Sequence, residues 1–528
     1  MKIPGLDLEF AALPAPVPVW YAQVSEAEWV TAATAVRDEG GRLVALWAGS
    51  ATFSEAISPI NIRARAIFVA YATREGLFWL ALPLASSNAP ASYPDLSAVF
   101  PCASRMQRAA ADLSGVQAAG ARDTRPWFNH GAWAADHFPL LQDPQALPKP
   151  VPGALQDYPF VRVEGDGVHE IAVGPVHAGV IEPGHFRFSV VGEKILRLEE
   201  RLGYTHKGVE QRMTQLPALD AYRLAGRVSG DSTVAYAWAY CMALESACQT
   251  TITPRAAWMR ALMLECERVA NHLGDLGAIA NDVAFAFALA QFSRLREDWL
   301  RACKLAFGHR MMMDCIVPGG VKADLLPAGK DALWQRCLAV AVDVRKLSDV
   351  LESHAGLQDR FRITGRVRSA LAAQLGMTGL AGRASSQRRD LRCDHPFEPY
   401  DKLRVVMASH VRGDVGARAS VRFQEVFESV RLIERILNEM PEGEVQSSLT
   451  LPPQATRGAG WVEGWRGEIV VALELAGVDQ ANRIERCHLH DPSWQNWPVL
   501  EHSVMKDIVA DFPVINKSFN LSYSGQDL

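Results

Sequence analysis

Three stretches carry residue types that do chemistry, at spacings that could bring them together. The first is GPVHAGVIEPGHFRF, residues 174–188, where glycines and prolines hold His177, Glu182 and His185 on irregular backbone between two expected strands. A carboxylate flanked by two imidazoles can shuttle protons near neutral pH. The same composition also suits a polar turn whose side chains satisfy neighbouring backbone groups. The second stretch joins LGYTHKGVEQRM (202–213) to RLAGRVSGDSTVAYAWAYCMALE (223–245). There Gly226 and Gly230 bracket Arg227 and Ser229, and Asp231 and Ser232 precede a strongly apolar helix. Its first N–H groups could hold an anion or an electronegative ligand, although Ser232 or Thr233 reads equally as a plain N-cap. In the third, RAAWMRALMLECERVANHLGDLGAIANDVAF, Glu265, Arg268 and His272 fall at i, i+3 and i+7 on one face of a helix too apolar to be solvated all round. They read either as a buried ion pair backing a site or as an ordinary intrahelical pair with a capped end.

The elements that must position these residues follow from periodicity. From Trp29 to about residue 85 a helix ending at Gly40 and Gly41 precedes apolar, β-rich segments that turn at Glu75 and Gly76, a small α+β unit. Residues 93–115 read as helical, with Arg105, Arg108 and Asp112 at i, i+3 and i+7. The Pro-rich stretch 139–152 (PLLQDPQALPKPVP) is the clearest linker and divides a domain 1–150 from a domain 151–528. After it YPFVRVEG, GVHEIAVGPV and HFRFSVVGEKILRLEE, separated by Asp166-Gly167 and Gly192-Glu193, read as a β meander. Long helical periods over 219–437, interrupted at VPGGVKAD, TGLAGRASS and around Pro396, predict a bundle, with Thr253 and Pro254 opening one helix as N-cap and first helical residue. The tail returns to strand alternation at GEIVVALELAG, then a turn and short helix in DPSWQNWPVLEHSVMKDIV. The fold class is α+β: a small N-terminal α+β domain, then a mainly helical bundle flanked by a β meander and a C-terminal β segment.

Composition removes several functional classes. A chain of 528 residues exceeds the usual domain of roughly 100–200. With 49% apolar residues, 21% charged and a net charge of -5, it is neither disordered nor built to coat nucleic acid, and no nucleic-acid partner is expected. None of the nine cysteines forms a C-x-x-C pair, which argues against an internal thiolate cluster or zinc knuckle. The start, MKIPGLDLEF, lacks a secretory signal, and no run reaches the roughly 20 apolar residues of a membrane helix. A cytoplasmic location is the expectation. No G-x-G-x-x-G follows a strand and opens a helix, so any NAD would act only indirectly, through another subunit.

Several of these motifs together resemble a known family. GPVHAGVIEPGHFRF, LGYTHKGVEQ, ECERVANHLGDLG, VPGGV, RRDLRCDHPFEPYDKL, RGDVGARASVRFQEVFESVRLIERILNEMPEGE and FPVINKSFNLSYSGQDL, in that order over about 158–528, resemble the large subunit of membrane-bound nickel-iron hydrogenases of the formate hydrogenlyase type. They equally resemble the 49-kDa subunit of respiratory complex I. Upstream, YPDLSAVFPCASRMQRAAADLSG is similar to the signature of the 30-kDa complex I subunit, with Arg108, Asp112 and Gly115 on its key positions.

The resemblance implies a metal site and shows where it departs. In the hydrogenases four cysteines hold nickel and iron, in an R-x-C-G-x-C and a D-P-C-x-x-C segment. Here the first reads RVSGDS, with Ser229 and Ser232 on the ligand positions, and the second reads DPSWQN, with Ser493 and Asn496. A neutral serine hydroxyl does not replace a soft bridging thiolate, so no nickel-iron site is expected. Complex I, which also lacks those cysteines, receives a quinone there through a G-P-Q-H-P-x-x-H-G loop. Its first histidine falls on His177 and its second on Ile181, while EPGHFRF follows the hydrogenase version, whose proton-conducting glutamate falls on Glu182.

By resemblance the chain is the hydrophilic large subunit of a complex-I-like or hydrogenase-related oxidoreductase, peripheral on the cytoplasmic face of the inner membrane. Electrons from an iron-sulfur cluster in a partner small subunit would reach a quinone or other small acceptor, coupled to ion translocation by antiporter-like membrane subunits. Glu182 and His177 would relay protons, Asp231 with Arg227 would polarise the ligand, and His185, Glu265, Arg268 and His272 would support the pocket from behind. The alternative is a redox-silent scaffold or a conformational coupler, in which Ser229, Ser232, Ser493 and Asn496 hydrogen-bond one another where the metal sat.

Overall fold

The structure is a computed structural model and describes residues 8–54, 61–84, 91–141, 158–179, 181–477 and 483–528. At the N-terminal end, strands β1 (Ala11–Leu13), β2 (Val19–Gln23), β3 (Arg42–Ser54), β4 (Asn61–Thr73) and β5 (Gly76–Pro83) form one sheet in the order β1-β2-β5-β4-β3. Helix α1 (Glu26–Asp38) starts at a capping box between Ser25 and Glu28 and buries Trp29, Ala32, Ala33 and Val36. The run Ile67–Tyr71 in β4 is buried throughout, which explains why it reads as continuous apolar text with no alternation.

Helix α2 (Ala103–Ser114) connects the short strands β6 (Ala91–Pro94) and β7 (Val116–Ala119), which pair in parallel. The helical reading from Tyr93 therefore holds only from Ala103 onward. The α2 charges spaced i, i+3 and i+7 are internal fasteners. Asp112 accepts the N–H groups of Trp127, Phe128 and Asn129 at 2.6, 2.7 and 3.0 Å. Arg108 donates to Asp123, the Arg125 carbonyl and the Tyr158 hydroxyl, and Arg105 reaches Glu200 at 3.0 Å and Glu501 at 2.7 Å.

The Pro-rich linker lies largely outside the described residues. Beyond it β8 (Val168–Val173), β9 (His185–Val191) and β10 (Lys194–Arg201) form the expected antiparallel meander. The preceding YPFVRVEG is not one of its strands. The Tyr158 ring lies under the guanidiniums of Arg125 and Arg201, and the Val161 N–H donates to Glu199, contacts that hold this segment beside the sheet instead of in it.

The bundle follows. Short turns α3 (Val209–Met213) and α4 (Tyr222–Ala225) lead into α5 (Thr233–Ala247), α6 (Pro254–Asn281) and α7 (Ala286–Phe307), then a hairpin of β11 (Ile316–Val317) and β12 (Gly320–Val321), then α8 (Pro327–Ser353). Five short helices come next: α9 (Ala355–Phe361), α10 (Ser369–Gln374), α11 (Gly379–Ala384), α12 (Leu391–Asp394) and α13 (Tyr400–Leu403). They precede the long α14 (Val415–Glu439). Thr253 caps α6 by accepting the Ala256 N–H at 3.2 Å, with Pro254 in the first turn. The last sheet is β13 (Thr456–Glu463), β14 (Glu468–Leu475) and β15 (Ile484–His490), followed by α15 (Ser493–Ser503), α16 (Phe512–Phe519) and α17 (Tyr523–Asp527).

Every residue of α5 is buried, because β13 presses directly on it. A Cβ at Gly458 or Gly460 would lie 2.0 Å from the Ala243 carbonyl or 1.8 Å from that of Ala239, so only glycine permits this approach. The N-terminal sheet closes on the opposite side, where Trp47 of β3 stacks on His488 of β15 at 4.7 Å and Arg42 pairs with Glu468. Seven of the nine cysteines are buried and Cys248 and Cys393 half-buried, all of them packed residues, and burial pushes the Cys393 thiol up to about 12. Among the described residues no helix is long and apolar enough to cross a membrane.

Candidate functional site

The loop Ser229–Ser232 enters α5 and is held from three sides. Ser229 Oγ donates to Asp231 Oδ1 at 2.7 Å, and Ser522 Oγ donates to Ser229 Oγ at 3.1 Å. Asp231 receives the fork of Arg466, at 2.8 Å on Oδ1 and 2.5 Å on Oδ2. Arg466 sits in the β13–β14 turn beside Trp465, whose indole N–H lies 2.9 Å from the Asp231 carbonyl and 3.1 Å from Ser232 Oγ. The guanidinium packs 4.0 Å over that indole and donates through Nε to the Asn520 carbonyl at 2.6 Å. From α6, Asn271 donates to the Asp231 carbonyl at 2.6 Å. Burial opposes ionisation of Asp231, but Arg466 and the Ser229 hydroxyl more than offset it, and the carboxyl is held down at about 2.

Ser232 occupies the N-cap position of α5 without capping it through its side chain. Glu267 of α6 does so instead, accepting the Val234 N–H at 2.7 Å and the Ala235 N–H at 3.2 Å. Burial pushes this carboxyl up to about 8, and the two N–H groups offset only part of that rise.

The C-terminal side of the site departs from what the motif spacing implies. The residue that meets Ser229 is Ser522, and Gly525 follows it with the same three-residue spacing that separates Ser229 from Ser232. Ser493 stands one step back, accepting the Ser522 N–H at 2.9 Å while its own N–H donates to Asp491. Asn496 is turned elsewhere, exchanging hydrogen bonds with the Thr378 backbone at 3.1 and 3.2 Å. Of the four positions expected to seal the cavity, Ser229 and Ser232 line the loop, Ser493 supports its partner and Asn496 takes no part. The physical reason is that α15 starts at Ser493, after Pro492, and carries Asn496 along its own axis, whereas the short α17 begins against the serine loop.

The same C-terminal segment receives the Glu182 loop. Glu182 is exposed, and its Oε2 accepts the Ser524 N–H at 3.0 Å. His177 Nε2 lies 3.4 Å from the Tyr523 hydroxyl, and burial lowers its pKa. His185 points away, with Nδ1 3.3 Å from the Gly174 carbonyl and its ring against Phe160.

Arg227 is exposed and forms a two-pronged pair with Asp314, 2.7 Å on each oxygen, while the cation bonded to Asp231 is Arg466.

The α6 face is a buried ion network linking several helices. Glu265 accepts from Arg268 at 3.3 Å, Arg392 at 3.1 Å, Tyr400 at 2.8 Å and Ser429 at 2.6 Å. His272 Nε2 lies 2.7 Å from Glu425, which also receives Arg383 at 2.7 Å. Arg268 donates to the Glu463 and Gly464 carbonyls, and His272 stands edge-on to Trp465 at 6.0 Å. The network therefore fixes the turn that presents Trp465 and Arg466. Sequence reasoning missed those two residues, Ser522 and Glu267. The Gly464-Trp465-Arg466-Gly467 turn, an aromatic and a cation between two glycines, was the one available signal.

The donor chemistry does not fit a nickel-iron centre. Serine hydroxyls and a glycine face one another, Asp231 is committed to Arg466, and a Cβ at Gly525 would fall 2.4 Å from Asp491 Oδ2. Among the described residues no group of three His, Cys, Asp or Glu side chains is arranged to hold a metal ion.

Comparison with known proteins places these features. Residues 22–149 match the family described as respiratory-chain NADH dehydrogenase, 30 Kd subunit, and residues 282–460 match the 49 Kd subunit family. The chain is 30% identical over 449 residues to formate hydrogenlyase subunit 5 of Escherichia coli (strain K12), an alignment covering 84% of this chain and 78% of that protein. It is 31% identical over 353 residues to the carbon monoxide-induced hydrogenase of Rhodospirillum rubrum, covering 67% and 97%. It is 27% identical over 403 residues to the C/D fusion protein of the Phocaeicola vulgatus NADH-quinone oxidoreductase, covering 73% and 77%.

Proposed function

Because the chain belongs to the family that unites the fused 30-kDa and 49-kDa subunits of complex I with the related hydrogenase large subunits, and is thus an oxidoreductase subunit, we propose that it serves a membrane-docked assembly of this kind as a nickel-free coupling subunit. In this reading the ancestral metal position is a plug of hydrogen-bonded side chains that transmits conformational change between partners. The observation that carries it is the Ser522–Ser229–Asp231–Arg466 chain, in which each polar group is bonded to protein, leaving no vacant donor set for a metal. An iron-sulfur small subunit and antiporter-like membrane subunits are the partners this role requires, with the chain peripheral on the cytoplasmic face.

A second reading keeps redox chemistry. Glu182 and His177 both converge on residues 523–524, immediately beside Ser522, so a proton entrance leads to the plug. A quinone or other small acceptor reduced by the partner's iron-sulfur cluster would draw protons through it. Purification of the intact assembly separates the two. The coupling reading expects nickel far below one atom per chain by elemental analysis, no hydrogen turnover with a redox dye, and no quinone-analogue reduction sensitive to Glu182→Gln or His177→Ala. One nickel per chain sinks both readings, and quinone turnover abolished by those variants favours the second.

A further inference from the structure

A cavity of about 450 Å³ opens where the N-terminal sheet meets the bundle, and neither His177 nor Glu182 lines it. One wall comes from the end of α1 and the β4–β5 turn, the other from residues 388–395 and β13. Four arginines line it: Arg42, Arg74, Arg388 and Arg389. Arg42 spends both terminal nitrogens on Glu468, and its Nε is buried with no acceptor. Arg389 donates one hydrogen bond to the Gly40 carbonyl, at 2.8 Å. Its guanidinium is pulled below the usual arginine range chiefly by burial, with the neighbouring charges of Arg42 and Arg74 adding to the drop and Glu468 and Asp394 opposing it. Arg74 and Arg388 make no hydrogen bond or ion pair among the described residues.

The acids in the same wall do not balance this charge. Asp390 is paired with Arg392 at 2.7 Å and Glu463 with Arg383 at 2.8 Å, both cations lying behind the wall. That leaves Asp394 and the rim residue Glu39 facing the three guanidiniums of Arg74, Arg388 and Arg389. Planar guanidiniums lining one polar space suit a phosphate dianion, to which each can offer two N–H donors. The cavity is larger than one phosphate group and falls in the range of small-molecule sites, and its floor carries His395 and Trp461, ring centroids 5.3 Å apart.

We propose that this cavity binds a phosphate group, free or carried by a small organic molecule, and that the bound anion clamps the N-terminal unit to the bundle through Arg74 on one side and Arg388 and Arg389 on the other. Arg42 supplies charge from the floor while keeping its pair with Glu468. The test is isothermal titration of the full chain at constant ionic strength with inorganic phosphate and with adenosine monophosphate, alongside melting curves with each. Binding with a rise in melting temperature is expected, weakened roughly tenfold or more in Arg74→Gln/Arg388→Gln and unchanged in Arg301→Gln, an exposed arginine on α7. Both pocket arginines are exposed, so the double variant should fold; its melting curve without ligand checks this. Tighter binding of the nucleotide identifies an organic phosphate as ligand, and equal affinity identifies phosphate itself. No heat at millimolar concentration, or undiminished affinity in the double variant, overturns the proposal.

Discussion

Arg466 and Asp231 form a two-pronged ion pair, 2.8 and 2.5 Å, that locks the β13–β14 turn to the serine loop ahead of α5. The arginine is 7% exposed at its side chain and the aspartate 33%. Removing one partner of a buried pair costs more than the pair contributes, because the other charge is left behind. Arg466→Ala is therefore expected to lower unfolding free energy by about 2–4 kcal/mol, somewhat under the cost for a fully dry pair because Asp231 keeps some water. Arg466→Ala combined with Asp231→Asn should recover part of that loss in denaturant melts. Additive losses would show that the two residues are not coupled.

The contact between Ser229 and Ser522 predicts a chemical outcome. Hydroxyl oxygens 3.1 Å apart place their β-carbons close to disulfide range. The double variant Ser229→Cys/Ser522→Cys should oxidise to an intramolecular disulfide, seen as a mass loss of two hydrogens and a mobility shift without reductant. Ser229→Cys/Asn496→Cys should stay reduced, since Asn496 is bonded to Thr378 instead. The opposite pattern would return Asn496 to the place that motif spacing assigns it.

How much of the molecule was legible in the sequence depended on whether a partner lay on the same element. Glu265, Arg268 and His272 were legible because helical spacing alone puts them on one face, and α6 buries that face as expected. Arg105, Arg108 and Asp112 were legible as a stripe on α2 for the same reason, though not their partners. Arg466 was not, because its only local context is a hairpin turn and its acceptor lies on a distant loop. Arg227, named by resemblance beside Asp231, pairs with Asp314, an acid 87 residues away that no local spacing connects to it. Motif spacing pointed to Ser493 and passed over Ser522, the serine that meets Ser229. Their placement depends on which helix starts against the loop.

The α2 fasteners make a stability prediction at the start of the chain. Asp112 is mostly buried and satisfies three consecutive backbone N–H groups at 2.6–3.0 Å, which nothing else among the described residues serves. Asp112→Ala leaves those donors unpaired at a cost of about 1–3 kcal/mol each at most, so a loss of roughly 2–4 kcal/mol is expected. Asp112→Asn, which keeps one acceptor oxygen, should lose about half as much. Chemical denaturation of the two variants separates the backbone role from a general effect of charge, because a charge effect would make them equal.

Glu267 gives the pH dependence its sign. Its carboxyl rises from 4.5 to about 8 in the folded chain, first through burial and then through the neighbouring Asp231 charge, with the Val234 and Ala235 N–H groups pulling the other way. Between those values the folded state holds a proton that the unfolded state has released, so this residue makes stability fall as pH rises across that window, by at most about 1.4 kcal/mol per unit. Below about 4.5 the contribution is complete, and above about 8 it is gone. Glu267→Gln removes the titrating group. The slope of unfolding free energy against pH between 5 and 8 should become less negative in this variant, whatever its absolute stability. Asp231 acts in the opposite sense and in a lower window: held at about 2 against an ordinary 3.8, it adds stability above 3.8 that is lost as pH falls towards 2. Asp231→Asn should therefore flatten the acid limb and, by removing the charge that helps raise Glu267, also make the slope between pH 5 and 8 less negative. An unchanged alkaline slope in Glu267→Gln would mean that its carboxyl is already ionised beneath the first turn of α5.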